Sequence, residues 1–326
     1  MNSKLHSKLR FWFLAPCLII GSIKAQNVTV AGATVGDGTY ATLGAAFTAI
    51  NGGAQTNATI AVSITGNTTE PGTATLNASD WKSLTISPTG GTPLSISGNV
   101  ANALIHLNGA TNVTIDGLNT GGNLLTLDNT ATGATSTILF NNGCKSVLVQ
   151  NCMILGSSSM SNNGTLSFGT ASGGGIGNSL IKVQSCTIDA SSGGNPVNGV
   201  YSSGSIIPGQ ENSNDTIVNS FIANYFNPDL SSSGILLNTG NTNWDISGCR
   251  FYQNATRTYT TGNIHSAIHV MSGNGYSVTN NIIGFANYAG TGVYTMDGTV
   301  ATRFIGINLS VGATTASSVQ GNIISA

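Results

Sequence analysis

Along most of the chain, apolar and polar residues alternate in short runs, and the runs recur. An eight-residue phrase appears as VTIDGLNT from Val113, VLVQNCMI from Val147, IKVQSCTI from Ile181 and DTIVNSFI from Asp215. It returns as WDISGCRF, YSVTNNII and SSVQGNII. With LTI ending at Ile86 as a first weak copy, the third positions are Ile86, Ile115, Val149, Val183, Ile217, Ile246, Val278 and Val319, at steps of 29, 34, 34, 34, 29, 32 and 41. A period near 30 with variable insertions marks a solenoid, in which each repeat packs only on its neighbours.

Within the phrase, positions one and three are mostly β-branched or aromatic and alternate with polar residues, which predicts a strand with one buried face. The fifth position holds Gly117, Asn151, Ser185, Asn219, Gly248, Asn280 and Gly321, mostly residue types that tolerate a left-handed backbone, so the chain is expected to turn there. Positions six and eight then point inward again. Position eight reads Thr120, Ile154, Ile188, Ile222, Phe251, Ile283 and Ile324. About ten residues upstream of each third position lies another strand-like piece, clearest near Ile105, Ile138, Ile235 and Ile268. Three strands per turn is the simplest count.

The exception is Tyr40–Ile50, where Leu43, Ala46, Phe47 and Ile50 fall on one helical face after Thr42 as N-cap and before Gly52-Gly53 as a stop. Such a helix would cover the open first coil, because an exposed solenoid end is an unpaired sheet edge. The expected organisation is a leader over 1–25, an N-terminal strand and capping helix over 26–56, and repeats over 57–326. No C-terminal cap is visible, which predicts a truncated chain or further C-terminal domains in a parent protein.

Composition fits stacked coils. Charged residues make up 6% of the 326, with 43 Gly and a formal charge of −1. Coils stack at the strand spacing of ~4.8 Å, so about eight of them form a rod roughly 40 Å long. Like charges would repel in columns along it, whereas Asn, Ser and Thr can bond up and down the stack. The same balance leaves no basic field for phosphates and argues against a nucleic-acid partner.

Lys4, Lys8 and Arg10 precede an apolar run from Phe11 to Ile23, then Lys24-Ala25-Gln26, the layout of a secretory signal cleaved after Ala25. The run is shorter than the ~17–25 residues that span a bilayer, and no later segment could span one. Cys17 invites a lipoprotein reading, but Pro16 fits poorly before a lipidated cysteine. Without the leader, six Lys and Arg remain against eleven Asp and Glu. The mature chain is expected to be mildly acidic, and secreted or on the outer cell surface.

The stretch VTVAGATVGDGTYATLGAAFTAIN and the Asn/Gly-turn phrases after it resemble right-handed parallel β-helix proteins of the pectin-lyase-like superfamily. More narrowly, they look like the Thr/Asn/Gly-rich modules of exported surface proteins in Bacteroidetes-type bacteria. The resemblance covers about residues 27–326. It implies an all-β, right-handed parallel β-helix, and it leaves chemistry open, since the superfamily holds lyases, hydrolases, esterases and adhesins.

Cys152, Cys186 and Cys249 share position six. In-register parallel stacking aims neighbouring side chains the same way, so a ladder of buried thiols is expected over a disulfide. A zinc site would need four converging ligands, and Ser220 interrupts the column. A lyase would need a positioned base and carboxylates for Ca2+, and a glycosidase two or three nearby Asp. Only Glu211 and Asp215 are close in sequence, and Asp245 and Lys182 share an outward position two coils apart. No cofactor is expected outside the lyase alternative, and no metal site. The densest stretch runs from Trp244 to His269, with Asp245, Arg250, Tyr252, Arg257, Tyr259, His265 and His269 as a candidate patch for cell-surface or extracellular glycans. Rings, Arg and Asp bind sugars by stacking and bidentate hydrogen bonds. The competing reading makes Trp244 and Phe251 core rungs, and Tyr252 and Tyr259 loop packing. The sequence thus predicts a structural or adhesive surface module, with a polysaccharide lyase or hydrolase as the alternative.

Overall fold

The computed structural model of the chain describes residues 25–119, 124–170 and 175–325. The predicted leader, apart from Ala25, lies outside the described residues.

Three parallel sheets run the length of the molecule, and successive strands pass from the first to the second to the third before returning. This is a parallel β-helix. In the first sheet every predicted third position meets its neighbour in register, from Ile86 opposite Ile115 through to Val278 opposite Val319. Val62 pairs with Ile86 and adds a coil before the first one legible in sequence. The upstream strands form the third sheet, where Ile105, Ile138, Leu166, Val200, Ile235 and Ile268 stack in one column. These inward rows are almost wholly buried, and each such side chain stabilises the stack by about 1.5–3 kcal/mol.

Two details of the turn differ from the sequence pattern. The fifth-position residues Asn151, Ser185, Asn219, Gly248, Asn280 and Gly321 all have φ between 50° and 66°, but in the first full phrase the left-handed residue is Leu118 rather than Gly117. A Cβ on Gly117 would collide with the Asn151 carbonyl, so glycine is needed there for close approach instead. Upstream of Ile154 the eighth-position row continues in register through Leu127, Ile96 and Thr68. An insertion after the turn displaces the next strand to Leu125–Asn129, and Thr120 itself lies outside the described residues.

Side chains also bond along the stack. At position six, Asn281 Oδ1 accepts from the Cys249 amide at 2.9 Å, and Asn322 Oδ1 accepts from the Asn281 amide at 2.9 Å. The Ser220 hydroxyl does the same for Cys186 at 3.2 Å. Where the third sheet turns into the first, Asn178 Nδ2 donates to Asn212 Oδ1 at 3.0 Å, and Asn212 Nδ2 donates to the Ser202 hydroxyl at 2.9 Å. Neutral groups thus satisfy corner backbone groups that turn away from the strand ladders.

The helix is Leu43–Ile50, with Leu43, Ala46, Phe47 and Ile50 buried. The Thr42 hydroxyl accepts from the Ala45 amide at 3.2 Å, and the buried Glu70 carboxylate accepts from the Leu43 and Gly44 amides at 2.8 and 2.9 Å. An anion at a helix N-terminus is favoured by the aligned peptide dipoles. The helix covers the first coil, and the Asn51 side chain bonds the free edge of strand Ala74–Asn77 through the Thr75 carbonyl and the Asn77 amide. Strand Val28–Ala31 pairs antiparallel with Thr59–Ile64, and Gly38–Tyr40 pairs antiparallel with Val28–Ala31 as the edge of the first sheet at that end.

Candidate functional site

The outward face of the second sheet is built by positions seven and nine, counted from the start of each phrase. The strand alternation turns both away from the core. Position seven stacks Met153, Thr187, Phe221, Arg250 and Ile282 in register. Position nine places Leu155 opposite Asp189 and Ala223 opposite Tyr252. Phe221, Arg250, Tyr252 and Asp189 are partly exposed, and Tyr288 from the following loop is 63% exposed.

These side chains form one polar and aromatic cluster. The Arg250 guanidinium lies 5.9 Å from the Phe221 ring centre and donates from Nη1 to the Tyr288 carbonyl at 2.5 Å. The Tyr288 ring meets Phe221 edge-on at 6.1 Å. Burial, together with the Asp189 and Tyr288 charges, pushes the Tyr252 phenol up to about 12, so it stays a neutral donor. Asp189 Oδ1 accepts from Asn224 Nδ2 at 2.7 Å and from the Ala190 amide at 2.6 Å.

The seven residues of the sequence-derived patch do not converge. Asp245 faces outward on the first sheet, in the column of Thr216 and Lys182, and accepts from the Ser247 hydroxyl at 3.0 Å. Arg250 and Tyr252 lie on the second sheet and His269 on the third. Neighbours in sequence are separated because the chain turns a corner between them. Arg257, Tyr259 and His265 are at most 8% exposed, beneath the long loops joining the second and third sheets. His265 and His269 lie four residues apart on an extended strand, roughly 13 Å, and do not form a pair. Trp244 and Phe251 are buried core rungs.

The loop layer has its own core. His265 stacks on Tyr225 with ring centres 5.0 Å apart, the Tyr259 hydroxyl meets His265 Nδ1 at 2.7 Å, and Tyr294 and Phe304 close the other sides. Burial, aided by the Arg257 charge, pushes the imidazole down to about 3. Arg257 donates from Nε to Gln253 Oε1 at 2.7 Å and from Nη2 to Asn224 Oδ1 at 2.6 Å, and its guanidinium covers the Phe226 ring. Strands Arg257–Thr258 and Met296–Asp297 pair across this layer.

The structure places Cys152, Cys186 and Cys249 fully buried in the core, together with Cys144. Burial pushes Cys144 up to about 11 and Cys249 up to about 12. Among the described residues, no three His, Cys, Asp or Glu side chains converge as metal ligands. Also among these, no helix is long and apolar enough to cross a membrane.

Asp189, Phe221, Asn224 and Tyr288 are absent from the sequence-derived patch. The signal that could have found the first two is the column of positions seven and nine, which the repeat register already defines.

No protein-family model and no curated protein matches the chain. Among solved structures, PfbA, a surface adhesin of Streptococcus pneumoniae, aligns over 72% of this chain and 70% of its own, at 14% identity and a TM-score of 0.39. A second PfbA structure aligns over 80% and 90%, at 13% identity and 0.38. The Agl-KA catalytic domain aligns over 90% and 67%, at 12% identity and 0.31. Similarity at this level, shared by an adhesin and a catalytic domain, leaves the role of this chain open.

Proposed function

We propose that the mature chain is an exported, rigid β-helix module that acts as a structural and adhesive element at the cell surface, holding glycans on the outward face of its second sheet. The observation that carries this reading is the cluster of Phe221, Arg250 and Tyr252 on the second sheet with Tyr288 from the following loop, where ring faces and edges, a guanidinium and a phenol are presented together. Stacking on rings and hydrogen bonding to hydroxyls are the two interactions sugars offer a protein. The leader predicted over residues 1–25 supports the location.

The test is to incubate the purified mature chain with a panel of neutral oligosaccharides and polyuronates, with and without Ca2+. Binding without turnover, weakened by Arg250→Ala and Tyr288→Ala, is expected. Release of unsaturated or reducing ends would replace this reading with a lyase or hydrolase.

A further inference from the structure

Two loops of successive coils leave a cleft where the chain turns off the second sheet. The loop 253–257 follows Tyr252, and the loop 286–295 carries Tyr288. Hydrogen bonds tie them at both ends, from the Gln253 amide to the Phe285 carbonyl at 3.2 Å and from the Arg257 amide to the Thr295 carbonyl at 3.0 Å. Between those ties the loops part around a cavity of about 180 Å³. That is below the ~300–1,000 Å³ of pockets for drug-sized ligands, and leaves room for a single sugar ring.

Both walls are held by the protein itself. Under the first loop the buried Gln253 side chain accepts from Arg257 Nε at 2.7 Å and donates to the Tyr225 carbonyl at 3.0 Å, while the Asn254 amide donates to Asn224 Oδ1 at 3.3 Å. The second loop folds on itself, the Ala286 amide donating to the Thr291 carbonyl at 3.2 Å and Asn287 Nδ2 to the Thr291 hydroxyl at 2.8 Å. Walls fixed in advance lower the ordering cost of binding.

The lining is neutral and mixed. Asn254, Thr256 and Thr295 are exposed, and their side chains take no hydrogen bond among the described residues. They offer the cleft an amide and two hydroxyls, which both donate and accept. Ala255, Ala286 and Val293, the last 60% exposed, supply the apolar part. A pyranose has the same division, with hydroxyls at its rim and C–H groups on its faces. The cleft is lined by no titratable side chain, and Arg257 behind its wall is 8% exposed and spent on Gln253 and Asn224. A carboxylate or phosphate entering it would lose water without gaining a paired charge.

We infer that this cleft is a subsite for one uncharged hexose unit, with Asn254, Thr256 and Thr295 bonding its hydroxyls and Val293 packing on its ring face. The inference rests on the glycan reading above and deepens it, since Tyr252 adjoins the first loop and Tyr288 stands on the second. Calorimetric titration of the mature chain with neutral trisaccharides of glucose, galactose and mannose, and with trigalacturonate, tests it. A neutral ligand should bind most tightly, and Asn254→Ala should weaken it about fivefold, the worth of one neutral hydrogen bond. Ala255→Phe, at an exposed position, fills the cleft and should remove the preference for neutral ligands while the circular dichroism stays that of the wild type. Neutral binding that survives either variant unweakened, or tighter binding of trigalacturonate, overturns the cleft, and the glycan reading stands if Arg250→Ala still weakens binding. No binding of any of these glycans by a protein with the circular dichroism of a folded β-helix overturns both.

Discussion

Acidification should loosen the loop layer before it affects the coils beneath. His265 is fully buried among Tyr225, Tyr259, Tyr294 and Phe304, with Arg257 the charged group nearby, and it titrates at about 3 when folded. When the layer opens, the imidazole returns to about 6.5. Because the folded value lies below the open one, the stabilisation is complete above pH 6.5 and is lost as the pH falls toward 3. A difference of about 3.5 units corresponds to roughly 5 kcal/mol at the acid limit and roughly 2 kcal/mol at pH 5. The amides of Arg257 and Tyr259, bonded to the carbonyls of Thr295 and Asp297 at 3.0 and 3.2 Å, report opening of this layer. Their hydrogen-exchange protection, corrected for intrinsic rates, should fall about thirtyfold between pH 7.5 and pH 5. Burial also lowers His106 and His269, so the decisive comparison is His265→Phe, which retains a ring to stack on Tyr225. Equal pH dependence in that variant and the wild type would refute the assignment to His265.

Three further outcomes follow from buried groups. Burial raises the Asp215 carboxyl well above its usual range; Oδ1 accepts from the Ile181 amide at 2.8 Å while Oδ2 has no partner. With the folded value above the unfolded one, stability is full below the unfolded value near 3.8 and declines as pH rises, so Asp215→Asn should raise the melting temperature at pH 8 and flatten its pH dependence. Asn281→Ala removes the acceptor of the Cys249 amide and the donor to the Ile246 carbonyl; it should cost about 2–4 kcal/mol, read by denaturant unfolding, and a loss within 0.5 kcal/mol would contradict the ladder. Cys144 and Cys249, buried and held as thiols, should resist a maleimide at pH 8 until denaturant is added, and rapid labelling of the native chain would show the core to be open.

The register of the coils was legible in the chain because one local rule repeats. An apolar residue at position three and an Asn, Ser or Gly at position five suffice to align Ile115 with Val149, Val183 and Ile217. The helix was equally legible, because its cap, apolar face and stop are contiguous. Charge poverty also belongs to the sequence alone, since stacking penalises charge wherever the coils repeat. The glycan patch was not legible in the same way. Asp245, Arg250 and His269 are near in sequence, but the corners between strands send each to a different sheet. Conversely, Asp189, Phe221 and Tyr252 are distant in the chain and share a face through pairing between coils. The insertion that puts Leu127 opposite Ile154, and the loops that bury Arg257, Tyr259 and His265, obey no repeat. The chain by itself determined what stacks on what, because that is periodic and local. Only the tertiary structure decided which side chains meet at a surface, because that depends on where irregular loops fold back and which faces they cover.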